Sequence, residues 1–531
     1  MIGFMSESPI ISACDIQINT VTNNDTPELD IFPGEPDMHF GILTLNIAKT
    51  NKTSNPILFK FDIDISSSMD EPGGKGIAKI KYVKNTFENM LIYLSQQTDI
   101  EMYIQVGVFN SKYSNLVDTV QVTPDNHREI IDKVLAIRAN TCTNIESTFK
   151  ESGKIIDEYK ELNPQHKVAY ILLTDGNATE GNQNTEYLAT IVPTGCDKFC
   201  IGYGQDHCAK LLQLCGEYYF ITDFEITGNV YGEIVYSLLY EALSDIVITM
   251  GNGAKIYNAF TNEWTDTLEI KQLYGDKEMT YALKCPNPEN NSAIITGTII
   301  GNPITDSIEE DVPRDAPIYL CTVEQLPQLI SVDDNTVLEV DLKKFIFRNI
   351  TQQYLFNCIE LSSRKYNRLD NNHELTKYTD DIRVFYRKLK KYISENNLQD
   401  DVFMKVLCDD IYTSYKTVGR STSDTFTVMR QRAHAREMPY RVSTKEIENT
   451  RDRYVQESCN GLTRQCSITN DYGEEPEYYD EECQYEDHQL QDDGEMDELN
   501  QYVSSTQDHE EIYSSNTQSR LVRDLTCSSS S

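Results

Sequence analysis

The 531-residue chain has one tryptophan and eight histidines, and it carries no Lys or Arg at all between Arg464 and Arg520. Nowhere does it run through the roughly 18 consecutive apolar residues that a membrane-spanning helix needs, which excludes such a helix. The opening MIGFMSESPIISACDIQ lacks the basic start, the longer apolar block and the small-residue cleavage site of a secretory signal, so no export is expected. No two CxxC pairs occur, which removes a zinc-ribbon or RING-type signature. The 14 cysteines also lack the spacing of a small secreted framework. Reduced thiols in an intracellular, cytoplasmic setting are expected. Neither GGKG nor GNATEG completes a GxxxxGK[ST] phosphate loop. The formal charge of −37 repels phosphate backbones and anionic lipid, so neither nucleic acid nor a membrane is expected as a partner through charge. Frequent Asn, Ile, Tyr and Lys suit an AT-rich genome such as that of a protist or a large DNA virus.

What is present falls into stretches of different texture. Residues 1–37, rich in Asn, Thr, Asp and Pro, read as a loosely ordered leader. From 38 to 245 strand and helix patterns alternate. FGILTLNIA (40–48) is apolar at alternate positions, and Ile57 to Ile63, bounded by Pro56 and by Ser66 to Ser68, reads as a central strand. Ile77, Ile80, Val83, Phe87, Met90, Leu91 and Leu94 fall mostly three or four apart and predict an amphipathic helix. The strand MYIQVGVF comes next, then the helices REIIDKVLAI and NIESTFKESGKIIDEYK, the strands KVAYILLT and KFCIGYG, and the helices HCAKLLQLC and GEIVYSLLYEAL. This alternation predicts an α/β unit with a Rossmann-like, mainly parallel sheet and helices on both faces. Residues 246–342 are short β-rich pieces and predict a sandwich-like domain. Residues 343–418 have helical spacing. Residues 419–464 read as a basic polar segment of low periodicity, and 465–531 as a disordered acidic tail.

Three separated pieces carry the chemistry. Asp64-Ile65-Ser66-Ser67-Ser68 is a DxSxS loop after the first central strand, Thr143 in NTCTNI opens a helix, and Asp175 in LLTDGNATEG directly follows a strand. Ligands of open α/β sheets collect outside the carboxyl ends of the strands, so the three pieces are expected to converge there. Two carboxylates and three hydroxyls are all oxygen donors, which suits Mg²⁺, or Mn²⁺ or Ca²⁺, rather than zinc. Taken one at a time, an Asp-Ser loop is usually a helix cap. Capping does not account for Thr and Asp arriving in register.

This three-part pattern resembles the von Willebrand factor A family and its metal-ion-dependent adhesion site, over about Ile57 to Leu243. The resemblance implies Ser66, Ser68 and Thr143 as direct metal ligands, with Asp64 and Asp175 acting mostly through water. Ser67 and Cys142 stand where the family commonly has glycine. The resemblance further implies a protein-binding module that recognises an Asp or Glu of a partner through the metal.

Rival readings are weaker on the residues. Cys196, Cys200, His207, Cys208 and Cys215 offer soft zinc donors within a short stretch, yet Cys200 lies in an expected core strand and the last two cysteines are seven apart on a helix. No nucleophile with a base appears, and no histidine lies beside the constellation, so no catalysis is expected. The alternative is a metal-free scaffold acting through its C-terminal domains and acidic tail. Arg430, Arg432, Arg436 and Arg441 read as ordinary surface charge.

Overall fold

The computed structural model describes residues 10–16, 21–22, 29, 31–35, 37–72, 76–175, 178–204, 207–221, 224–287, 291–301, 330–332, 339–363, 371–419 and 423–436. The expectations for the acidic tail at 465–531, for Arg441 and for the β-rich texture of 302–329 lie outside them. In chain order the elements are β1 (Ile10–Ile16), β2 (Val21–Thr22), β3 (His39–Ile47), β4 (Ile57–Asp64), α1 (Lys79–Gln96), β5 (Met102–Phe109), β6 (Tyr113–Gln121), α2 (His127–Leu135), α3 (Ile145–Leu162) and β7 (Lys167–Thr174). Next come α4 (Thr185–Thr190), β8 (Asp197–Tyr203), α5 (Ala209–Cys215), β9 (Glu217–Ile221), α6 (Phe224–Leu239), β10 (Glu241–Met250), β11 (Lys255–Asn258), β12 (Glu263–Thr265), β13 (Thr267–Tyr274), β14 (Lys277–Cys285), β15 (Asn291–Ile299) and β16 (Ile330–Val332). Four helices complete the described chain: α7 (Glu339–Ser363), α8 (Asn371–Glu395), α9 (Val402–Thr417) and α10 (Ser423–Arg436).

One six-stranded sheet has the order β6-β5-β4-β7-β8-β9. Its pairings are parallel except at the β5–β6 edge. Strand β4 is buried along its whole length, as a central parallel strand must be. Its alternate side chains reach opposite faces. Phe61 packs edge-on against Phe87 of α1 at 5.4 Å between ring centroids, whereas Asp62 accepts a hydrogen bond from Ser152 of α3 at 2.5 Å. Helices therefore cover both faces. The expected α/β unit is present, with two additions. The edge strand β6 was not anticipated because Val117 is its one buried residue, so it shows no apolar alternation. The short helix α4 is capped by Asn184, whose side chain accepts from the Tyr187 amide.

The domain limits expected from the sequence shift at both ends. The strand expected to open the α/β unit, 40–48, is β3, and it lies antiparallel to β14 in a different sheet of order β12-β11-β14-β3-β16. Residues 241–245, expected to close the unit, open β10. Sheet β1-β15-β10-β13 stacks on the β3 sheet through Leu43, Leu45, Ile246, Ile248, Ile256 and Leu283, which makes the sandwich. The leader supplies two of its strands, β1 on β15 and the short β2 on β3. The α/β unit is thus an insertion between two parts of the sandwich. Strand β3 serves two cores, because Leu43, Leu45 and Ile47 face the sandwich interior while Phe40 and Ile42 join the core beneath α7, α8 and α9.

The basic polar segment is also corrected. Residues 423–436 form α10, which sends Phe426, Val428, Met429 and Ala433 into the core of the α/β unit. Arg430 is fully buried rather than a surface charge.

Candidate metal centre in the sheet crevice

Strand β4 is flanked by β5 on one side and β7 on the other. The chain passes from β4 to β5 in one direction and returns to β7 on the far side. The loops after β4 and β7 diverge at this reversal and leave a crevice at the strand ends. Asp64 is the last residue of β4, and Asp175 directly follows β7.

The structure brings Asp64, Ser66, Ser68 and Asp175 together there. One oxygen of Asp64 accepts the Ser66 amide at 2.8 Å, and the other accepts the Thr174 hydroxyl at 2.6 Å. Ser66 Oγ lies 3.1 Å from Ser68 Oγ, and Ser68 Oγ donates to Asp175 Oδ1 at 2.9 Å. Asp64, Ser66, Thr143 and Asp175 are buried, whereas Ser68 is half-exposed and Ser67 is exposed, so the group faces solvent on its serine side. Burial pushes the Asp64 carboxyl up to about 7, against the bonds from Thr174 and Ser66 that favour its charged form, and Asp175 nearby pushes the same way as burial.

Thr143 is placed through its backbone. Its amide donates to Thr179 Oγ1 at 2.8 Å, and its carbonyl accepts the amides of Thr179 and Glu180 at 2.9 and 3.0 Å. These bonds tie the start of α3 to the loop that carries Asp175. A second clamp joins the 140s to the DxSxS loop, where the Asn140 amide donates to the Ile65 carbonyl and the Ser67 amide to the Thr141 carbonyl. Thr141 sits at φ 62°, a conformation a β-branched residue adopts only when its surroundings impose it. The strain thus falls on Thr141 rather than on Ser67 or Cys142, neither of which has a positive φ. Ser67 begins a short 3-10 turn, Ser67–Asp70.

Lys79, which no sequence motif marks, is the cation of the crevice. Its Nζ lies 2.7 Å from Asp175 Oδ2 and 3.7 Å from Glu71 Oε2. The only sequence signal is a lysine opening the helix after a DxSxS loop.

Among the described residues no three His, Cys, Asp or Glu side chains gather as metal ligands, so a cation in this crevice depends on the hydroxyls. The hydroxyls of Ser66 and Ser68 and the carboxylates of Asp64 and Asp175 that meet there are oxygen donors, the type that a hard cation takes. The cysteine cluster fits none. His207 uses both ring nitrogens, on the Gly204 carbonyl at 2.6 Å and the Tyr218 hydroxyl at 2.5 Å, and Cys200 and Cys215 are buried with thiols pushed up by burial.

Among the described residues no helix is long and apolar enough to cross a membrane. No family model matches the sequence, and no curated protein matches it. Among solved structures the chain is similar to a von Willebrand factor type A protein from Catenulispora acidiphila, at 15% identity over 76% of this chain and 91% of that one, with a TM-score of 0.44. It is similar also to the ArnB paralog VWA2 from Sulfolobus acidocaldarius, at 16% identity over 80% and 98%, with a TM-score of 0.42. The strand order, the single antiparallel edge and the crevice at the β4/β7 reversal make the inserted unit a Rossmann-like, mainly parallel α/β sheet, carried on a β-sandwich with a helical layer.

Proposed function

We propose that this chain is a binding module that takes up a divalent cation in the β4/β7 crevice and through it recognises an Asp or Glu side chain of a partner protein. The observation that carries the reading is the hydrogen-bonded run Ser66–Ser68–Asp175, open to solvent at Ser68, with Asp64 held behind it by Thr174. A cation held by Ser66, Ser68 and Thr143, with Asp64 and Asp175 acting mainly through water, offers an electrophilic position to an outside carboxylate. Neutral hydroxyl donors leave more of the positive charge for that carboxylate than anionic donors would. The protein's own work is to orient these oxygens. Asp64 fixes the Ser66 amide, and the 140s loop clamps the turn that presents Ser68.

The reading is of binding rather than catalysis, since the serine hydroxyls engage each other and Asp175 and no histidine stands beside them in sequence. The test is capture of the full chain on an array of acidic peptides with Mg²⁺ or with chelator. Retention expected on Asp- and Glu-bearing peptides should disappear with chelator, with Asn or Gln in place of the acid, and in Asp64→Ala. Retention that ignores the metal would favour the alternative, a scaffold acting through other surfaces.

A further inference from the structure

Lys79 opens α1, whose N-terminus is the positive end of the helix, and α1 has no acidic residue in its first turn to offset that field. Its side chain is only 6% exposed. A buried ammonium at this end of a helix is doubly disfavoured unless a carboxylate meets it. Asp175 does so at 2.7 Å. The approach is built by the backbone as well: the Lys79 amide donates to the Glu71 carbonyl at 3.1 Å, and Pro72 bridges to Ala78, so the chain closes on itself and delivers residue 79 to the crevice. The lysine stem runs along Gly204, at φ +75°, where an added Cβ would come within 2.9 Å of Lys79 Cε. The two oxygens of Asp175 are therefore divided, Oδ1 to Ser68 and Oδ2 to Lys79.

We propose that Lys79 is a resident counter-cation of the crevice: it holds Asp175 in the metal-free protein, competes with the incoming divalent ion for that carboxylate, and so sets the metal affinity. This rests on the metal reading above. A divalent ion drawn to Asp175, directly or through water, meets the repulsion of an ammonium 2.7 Å from Oδ2, so metal entry works against the Lys79 charge. Removing its charge should tighten binding, whereas deleting a residue that merely supports the site would weaken it.

The test is calorimetric titration of Mn²⁺ and Mg²⁺ into the full chain as wild type, Lys79→Met, Lys79→Arg and the Asp64→Ala, Ser66→Ala double variant, with a thermal melt of each. Lys79→Met is expected to bind at least about tenfold tighter than wild type, Lys79→Arg close to wild type, and the double variant not at all. Should Lys79→Met fail to fold, Lys79→Gln, which can still donate a hydrogen bond to Asp175, is held to the same criterion. Equal or weaker binding by a folded uncharged variant overturns the competition while leaving the metal site in place, provided the double variant loses binding. Absence of saturable binding in both the wild type and the uncharged variants overturns the competition and the metal reading together.

Discussion

Two clusters of buried charge in this chain are built differently. In the crevice, Asp64, Asp175 and Lys79 come from three separate strand and helix ends, and the group meets solvent at Ser68. In the helical layer, Arg430 of α10 lies 2.7 Å from Asp409 and 3.3 Å from Asp410 of α9, and Asp410 also meets His434 Nε2 at 2.5 Å. Every member of that second cluster is buried. The enclosed cluster matches charges at fixed positions on two helices and thereby seats α10, whose apolar side chains complete the core of the α/β unit. The crevice cluster keeps oxygen donors at a solvent edge. The difference separates charge enclosed between two helices from charge that reaches solvent at a loop.

The comparison breaks most sharply at Arg430. Arg430→Met removes the buried guanidinium that both aspartates face and should cost about 3–5 kcal/mol of stability, read as a lowered urea midpoint of the full chain. A loss below about 1 kcal/mol would mean that the enclosed cluster fastens nothing.

Glu233 of α6 is a carboxylate inside the protein that belongs to neither cluster. Its Oε2 has no hydrogen-bond partner among the described residues, and burial pushes it up to about 7, with Lys277 and Arg436 pulling the other way. Since the folded state holds this proton more tightly than the unfolded chain, stability falls as pH rises from about 4.5 to about 7. Glu233→Gln removes that slope, worth on the order of 3 kcal/mol across the window. Stability measured at pH 5.5 and pH 8 should show the variant gaining on wild type at the higher pH, and parallel changes would contradict the assignment.

At Asp64 the expected effect on folding is smaller. Asn can still accept the Ser66 amide, and the Thr174 hydroxyl can turn to accept from the new amide, so Asp64→Asn should shift stability by no more than about 1 kcal/mol while metal binding is lost. Denaturation that dropped as far as for Arg430→Met would place Asp64 with the enclosed kind of charge. Smallest of all, Asp380→Ala removes an open pair with Arg383 at 2.9 Å and should change stability by less than about 1 kcal/mol.

The crevice was legible because its chemistry sits at short, fixed spacings beside strand ends: DxSxS after an apolar run, then Thr, then TDG. Those patterns marked Asp64, Ser66, Ser68 and Asp175, which meet in the crevice, and Thr143, which is tied to the loop after Asp175 through its backbone; the alternation of strands and helices predicted the sheet that carries them. Lys79 was not legible, since a lysine near a helix start looks like any solvated charge until Asp175 is brought across from another strand. The enclosed cluster was invisible for the same reason. Arg430 and Asp409 are 21 residues apart on helices whose packing no local pattern encodes, and α10 has little amphipathic contrast because its polar residues are themselves buried. Strand β3 shows the limit for topology. Its alternation identified a strand, but pairing with β14 more than 200 residues later is a choice of partner that periodicity does not record.

The central claim is tested most directly by titrating Mg²⁺ and Mn²⁺ into the full chain beside its Asp64→Ala, Ser66→Ala double variant. Saturable binding to the wild type that vanishes in a variant with an intact melt is the predicted result. Binding by neither protein, or equal binding by both, would contradict a metal centre in the β4/β7 crevice.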